Sequence, residues 1–99
     1  MSRYRLSAPA RQDLREIRDY IALDSISAAR SFLAKLSDAF GRLADMPGKG
    51  HVRKDLTDLP VRCWPVGSYL VVYDPDKRPL EILRVLHGAR DIEAILGIQ

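Results

Sequence analysis

The sequence predicts an α+β domain: an N-terminal β-strand, an antiparallel helix hairpin, a three-stranded antiparallel meander and a short C-terminal helix. Three observations carry that reading. Apolar residues recur at helical spacing from Ala10 to Leu43. Three short runs rich in β-branched and aromatic residues follow, between Leu59 and Leu86. Turn residues separate those runs, so the chain reverses between neighbours. Two helices followed by a meander place helices on one face of a sheet.

Arg3 to Ser7 alternates polar and apolar side chains, as a first strand does. Ser7 or Ala8 then caps a helix, with Pro9 in the first turn, where its missing N–H costs nothing. Ala10, Leu14, Ile17 and Ile21 share one face of this helix, which runs to about residue 23. Asp24-Ser25 breaks the pattern and caps a second helix, with Ala29, Phe32, Leu33, Leu36, Phe40 and Leu43 as its stripe. Pro47-Gly48 ends it, and the short connection makes the two helices a hairpin.

Residues 47–58 are polar, carry two glycines and form a loop long enough to be functional. Strands are expected over Leu59 to Trp64, Tyr69 to Tyr73 and Leu80 to Leu86, entered through Pro65-Val66-Gly67 and residues 74–79. Arg90 to Leu96 forms the last helix. In the last strand Leu80, Ile82, Arg84 and Leu86 point one way, and Glu81, Leu83, Val85 and His87 the other. Both faces are largely apolar near the middle, as are both faces of Tyr69 to Tyr73. The helix hairpin covers only one of them. The other calls for the last helix or a second protein.

The chain has 99 residues, one domain over residues 1–99, with 46% hydrophobic and 29% charged residues, as in an ordinary globular protein. Its net charge of +3 permits contact with nucleic acid or an acidic partner without requiring either. The single cysteine, Cys63, excludes an intrachain disulfide and suits a reducing compartment; between Arg62 and Trp64 it reads as a small buried side chain. The N-terminal residues lack the apolar core of a signal peptide, and the longest apolar run, Tyr69 to Tyr73, is too short to span a bilayer. A cytoplasmic protein with no membrane contact is expected. One cysteine and two distant histidines make no metal site, and Gly48-Lys49-Gly50 follows a helix where a phosphate loop precedes one. Neither metal nor cofactor is expected.

Taken together, the pieces resemble the RelE/ParE superfamily of type II toxin–antitoxin toxins. The resemblance rests on Tyr4-Arg5-Leu6-Ser7 before the Pro9 helix, and on Asp13-Leu14, Ile17 and Tyr20-Ile21 inside it. It continues through Ala28-Ala29-Arg30-x-Phe32, Leu43-Ala44-x-Met46-Pro47-Gly48-x-Gly50 and the strand Val66 to Tyr73. The ending, Glu81 to Asp91, is the sharpest match and is similar to the ParE branch in particular. The match covers residues 4 to 96. It implies a compact α+β fold with a curved antiparallel sheet. It implies a growth-arresting poison, a plasmid-stabilising type of function, and a toxin–antitoxin hetero-oligomer with a cognate ParD-like antitoxin that wraps the toxin with a helix and an extended segment. ParE-like members inhibit DNA gyrase; RelE-like members cleave mRNA on the ribosome.

Metal-free RNA cleavage needs a base for the 2′-hydroxyl, an acid for the leaving oxygen and cations for the phosphorus charge. The nuclease candidates are Arg84, His87, Arg62, Lys54 and His51, with Arg53 and Arg90 near them. Each has a plainer reading: Arg53 and Lys54 as loop charges, His51 as an exposed loop residue, Arg84 as an ion-pair partner, His87 as a cap on the last helix. RelE-like nucleases carry a Tyr, Phe or His near the C-terminus, and Ile95-Leu96-Gly97-Ile98-Gln99 holds none. The lysine-rich loop of one nuclease subgroup is not matched either, since residues 47–58 hold only Lys49 and Lys54. The balance favours a gyrase inhibitor without a hydrolytic step. The alternatives are a ribosome-dependent mRNA endonuclease and a non-toxic remnant that still binds an antitoxin. The expected antitoxin-binding residues are Leu14, Ile17, Ile21, Phe32, Leu36, Tyr69, Val71 and Tyr73, at the sheet edge, the open sheet face and the hairpin groove. Arg84, His87 and Arg90 are expected to face the target.

Overall fold

A computed structural model describes residues 3–96; residues 1–2 and 97–99 lie outside the described part. The order is β1 (Tyr4–Leu6), α1 (Ala8–Ala22), α2 (Ile26–Asp45), a 3-10 turn (Pro47–Lys49), β2 (Arg62–Val66), β3 (Tyr69–Asp74), β4 (Leu80–His87) and α3 (Ile92–Leu96).

Both long helices start where their caps predict. The Ser7 hydroxyl accepts the Ala10 amide at 3.1 Å, and the Ser25 hydroxyl accepts the Ala28 amide at 3.0 Å. Ser7 also reaches the sheet, where its N–H and hydroxyl donate to the carbonyls of Ile82 and Leu83 at 3.0 and 2.8 Å. One residue therefore starts α1 and ties that start to β4.

The sheet corrects the expected three-stranded antiparallel meander. It has four strands in the order β1-β4-β3-β2, and β1 runs parallel to β4, with Tyr4 opposite Leu80 and Leu6 opposite Ile82. The sheet is therefore mixed. The hairpin β2–β3 turns through Gly67-Ser68 alone, with Val66 opposite Tyr69 and Gly67 at φ 58°. A glycine in the left-handed region at the first turn position suits a tight two-residue hairpin. Pro65 and Val66, expected in the turn, belong to the strand, and β2 begins three residues later than the alternation suggested. Pro65 is tolerated because β2 is an edge strand.

A bulge in β4 overturns the assignment of its faces. Tyr73 pairs with Ile82 but Val72 pairs with Arg84, so Leu83 is the extra residue. Beyond it the alternation inverts. Leu80, Ile82 and Val85 share one face, and Leu83 and Leu86 the other. Val85 and Leu86 thus exchange the faces that strict alternation assigned to them.

Each face has its own core. Ala10, Ile17, Leu36, Phe40, Leu43, Tyr69, Val71, Tyr73, Leu80, Ile82 and Val85 pack between the helix hairpin and the sheet. Leu70, Val72 and Leu86 on the opposite face are covered by Leu56 and Val61 of the loop and Ile95 of α3. The face that called for the last helix or a second protein is closed by that helix together with the loop. No helix among the described residues is long and apolar enough to cross a membrane.

Candidate functional site

Three of the candidate residues, Arg84, His87 and Arg90, come together at the corner where β4 enters α3. Strand β1 stops at Leu6, so the edge of β4 beyond Ile82 has no strand beside it. Asp13 of α1 fills that place. Its carboxylate accepts Arg84 Nε and Nη2 at 2.7 and 3.0 Å and the Val85 amide at 3.0 Å. Asp13 is nearly buried and Arg84 about one-third exposed. The hydrogen bond and charge of Asp13 hold the guanidinium's pKa above its ordinary value.

His87 is the first residue of a reciprocal cap. Its Nδ1 accepts the Arg90 amide at 2.9 Å, while Asp91 Oδ2 accepts the His87 amide at 2.8 Å. The His87 ring meets Tyr69 edge-on at 5.1 Å. Nδ1 acts as an acceptor in this geometry, so the neutral ring carries its proton on Nε2. Arg90 lies over the Tyr20 ring at 4.7 Å. The groove at this corner is lined by Asp13, Glu16, Asp91 and two arginines, Arg84 and Arg90. Carboxylates outnumber cations there.

The other nuclease candidates lie elsewhere. Arg62 donates to the Gly50 carbonyl at 2.8 Å, and His51 stacks on Trp64 with centroids 5.9 Å apart. Strand β3 separates β2 from β4, which puts about two strand spacings, roughly 10 Å, between the two sets. Lys54 lies on the exposed loop, and Arg53 is held by Asp55 at 2.8 Å. The five residues do not converge on one point. Among the described residues no cluster of His, Cys, Asp or Glu is placed to hold a metal.

The residues expected at the antitoxin interface are largely interior. Ile17, Leu36, Tyr69, Val71 and Tyr73 are buried in the core beneath the helices, and Leu14, Ile21 and Phe32 are partly buried against it. Helical and strand periodicity identify the apolar face correctly, but this chain's own elements satisfy it. The sheet edge at β2 is also blocked, because the Cys63 amide and carbonyl are both bonded to His51, at 2.8 Å each, and Pro65 has no N–H. Among the described residues, the large apolar ones left exposed are others: Tyr20, Leu23 and Ile26 at the hairpin elbow, and Met46, Val52, Leu59 and Leu96. Leu23 and Ile26 flank the Asp24-Ser25 break, off both helical stripes, and that displacement is the signal in the sequence that marks them.

Two positioning groups are not evident from the sequence. Asp13 lies on the polar side of the α1 stripe, and Tyr73 reads there as one more apolar strand residue. The Tyr73 hydroxyl donates to the Pro47 carbonyl at 2.7 Å and accepts the Gly50 amide at 2.8 Å, pinning the loop to the sheet. Burial, the largest influence, raises the Tyr73 phenol above its ordinary value, and likewise the Cys63 thiol.

Known proteins agree with this architecture. A solved structure described as the chromosomal ParDE TA system from P. aeruginosa superposes with a TM-score of 0.69 at 19% identity, over 85% of this chain and 92% of that one. That likeness concerns the fold. No curated protein sequence matches the chain. The family model for the ParE toxin of the type II toxin–antitoxin system parDE matches residues 4–92, nearly the whole chain, and the protein therefore belongs to the ParE toxin family.

Proposed function

We propose that this protein is the toxin of a type II toxin–antitoxin pair that arrests growth by inhibiting DNA gyrase, acting in the cytoplasm and held inactive in a hetero-oligomer with a cognate ParD-like antitoxin. Family membership supports the pairing. The observation that carries the choice of target is the pairing of Arg84 with Asp13. A nuclease needs a free cation beside the scissile phosphate and a free base or acid. Arg84 is spent on Asp13, and His87 Nδ1 accepts the Arg90 amide in the turn before α3. The surrounding groove, with Asp13, Glu16 and Asp91, repels a phosphate more than it attracts one. A protein that acts by binding needs none of that machinery.

The exposed apolar residues Tyr20, Leu23 and Ile26 then become the favoured contact surface on this chain, in place of the buried set. The test is expression of the chain alone and with its antitoxin, following plasmid topology and transcript integrity in the same cells. Relaxed plasmid with intact transcripts, relieved by the antitoxin, supports gyrase inhibition. Cut transcripts with normal supercoiling support the mRNA endonuclease.

A further inference from the structure

A second surface lies away from the β4–α3 corner. It is a groove of about 320 Å³ between α2 and β2, with Lys35, Asp38 and Arg42 on one wall and Trp64, Pro65, Val66 and Gly67 on the other. Lys49 closes one end, its ammonium 4.8 Å from the centre of the Trp64 ring. The His51 ring lies against the same indole, its plane only 13° from parallel. Among the described residues no ion pair engages Lys35, Arg42 or Lys49. Three cations without an ion pair thus line the groove with a single carboxylate, Asp38.

Elsewhere on the chain six arginines, Arg3, Arg5, Arg18, Arg53, Arg84 and Arg90, are held in ion pairs. A lysine over an indole is a weak, easily exchanged contact, and its four-carbon stem lets the ammonium swing from the ring to an oxyanion. When it does so, the indole face becomes a stacking platform beside a ring that is already parallel. Aromatic platforms flanked by cations are what an unpaired nucleic-acid strand requires: bases stack, and phosphates find the charges. A duplex hides its base faces and cannot use the indole. An acidic peptide uses the cations but has no use for the flat, stacked ring.

We propose that this groove binds single-stranded nucleic acid, with Trp64, against which His51 packs, stacking a base and Lys35, Arg42 and Lys49 contacting the phosphates.

Trp64 is the only tryptophan, so its emission reports directly on the groove. The full chain is titrated with a short end-labelled oligothymidine, following Trp64 emission and label anisotropy together. The expected result is quenching and an anisotropy rise with one shared midpoint, weakening as salt increases. The double variant Lys35→Glu/Arg42→Glu, at two exposed helix positions, should weaken binding at least about tenfold and flatten the salt dependence. Trp64→Phe should keep the charge-driven salt dependence while weakening the complex several-fold. Unchanged affinity in the charge-reversed variant overturns the proposal. So does a duplex of the same length binding as tightly without quenching, or polyglutamate quenching Trp64 as well as the oligonucleotide does. The assay contains no gyrase, so its outcome is independent of the target assigned above.

Discussion

Asp13 of α1 holds Arg84 of β4 through both carboxylate oxygens, at 2.7 and 3.0 Å, and the carboxylate oxygen nearer to Arg84 also takes the Val85 amide at 3.0 Å. A helix side chain thereby does for the edge of β4 what a neighbouring strand does elsewhere. The bulge at Leu83 directly precedes this contact and turns Val85 into the core. Arg84, one of the nuclease candidates, is part of the seam between hairpin and sheet.

The first prediction follows from that seam. Asp13→Asn removes the charge that Arg84 pairs with and should lower unfolding stability by about 2 kcal/mol, as for hydrogen bonds to charged groups. Arg84→Met should cost a similar amount, and the double variant less than the sum, a coupling of about 1–2 kcal/mol. Urea denaturation of the four proteins measures it. Additive losses contradict the structural role, and so does loss of toxicity in an Arg84→Lys chain that remains fully folded.

His87 provides the second. His87→Ala leaves the Arg90 amide without its partner, and loss of such a cap costs about 1 kcal/mol. The effect is local, because α3 reaches the core of the outer sheet face through Ile95. Amide exchange should therefore quicken at residues 90–96 and little elsewhere. His87→Asn, which also offers an acceptor, should restore much of the protection. A general acid or base at this position predicts the reverse pattern, with activity lost in both variants while exchange stays unchanged.

Much of this fold is legible in the sequence. Ser7, Ser25 and Pro47-Gly48 delimit the helices by local chemistry, and the stripes from Ala10 to Leu43 name the core face. Three things are not. The β1–β4 pairing joins residues some 76 positions apart, and no local pattern encodes a partner at that distance. The extra residue at Leu83 inverts every face assignment after it, because strand periodicity is two and a slip of one exchanges the sides. Periodicity also reports which face is apolar, not what covers it. For that reason Val71 and Tyr73 read as a partner's interface although the hairpin of this same chain already covers them.

Tyr73 yields a pH prediction. Burial raises its phenol, so the folded state keeps a proton that the unfolded chain releases. This contribution is complete below the ordinary tyrosine range, about pH 10, and is lost as pH rises through and above it. Wild-type stability should fall over that window, and Tyr73→Phe should fall less. The buried Cys63 thiol contributes with the same sign to both chains, so the difference isolates Tyr73. Near neutral pH the phenylalanine variant should be less stable by about 1–3 kcal/mol, since the Gly50 amide loses its partner. Parallel pH profiles for the two proteins contradict the assignment.

Gly50 tests the same junction by sterics. A Cβ there would collide with the Tyr73 hydroxyl, with ring carbon Cε1 at 2.8 Å and the Cys63 carbonyl at 3.0 Å. Gly50→Ala should destabilise by about 1–3 kcal/mol, the range for overpacking, whereas Gly48→Ala, with open space around it, should not. Thermal melts of the two variants distinguish the outcomes.

The most direct test of gyrase inhibition is a supercoiling assay with purified chain, DNA gyrase, relaxed plasmid and ATP, scored for lost supercoiling and for trapped cleaved DNA. The expected result is inhibition that persists in folded Arg84→Lys and His87→Asn chains and disappears when the antitoxin is added. Undiminished supercoiling in the presence of a chain shown to be folded would contradict it.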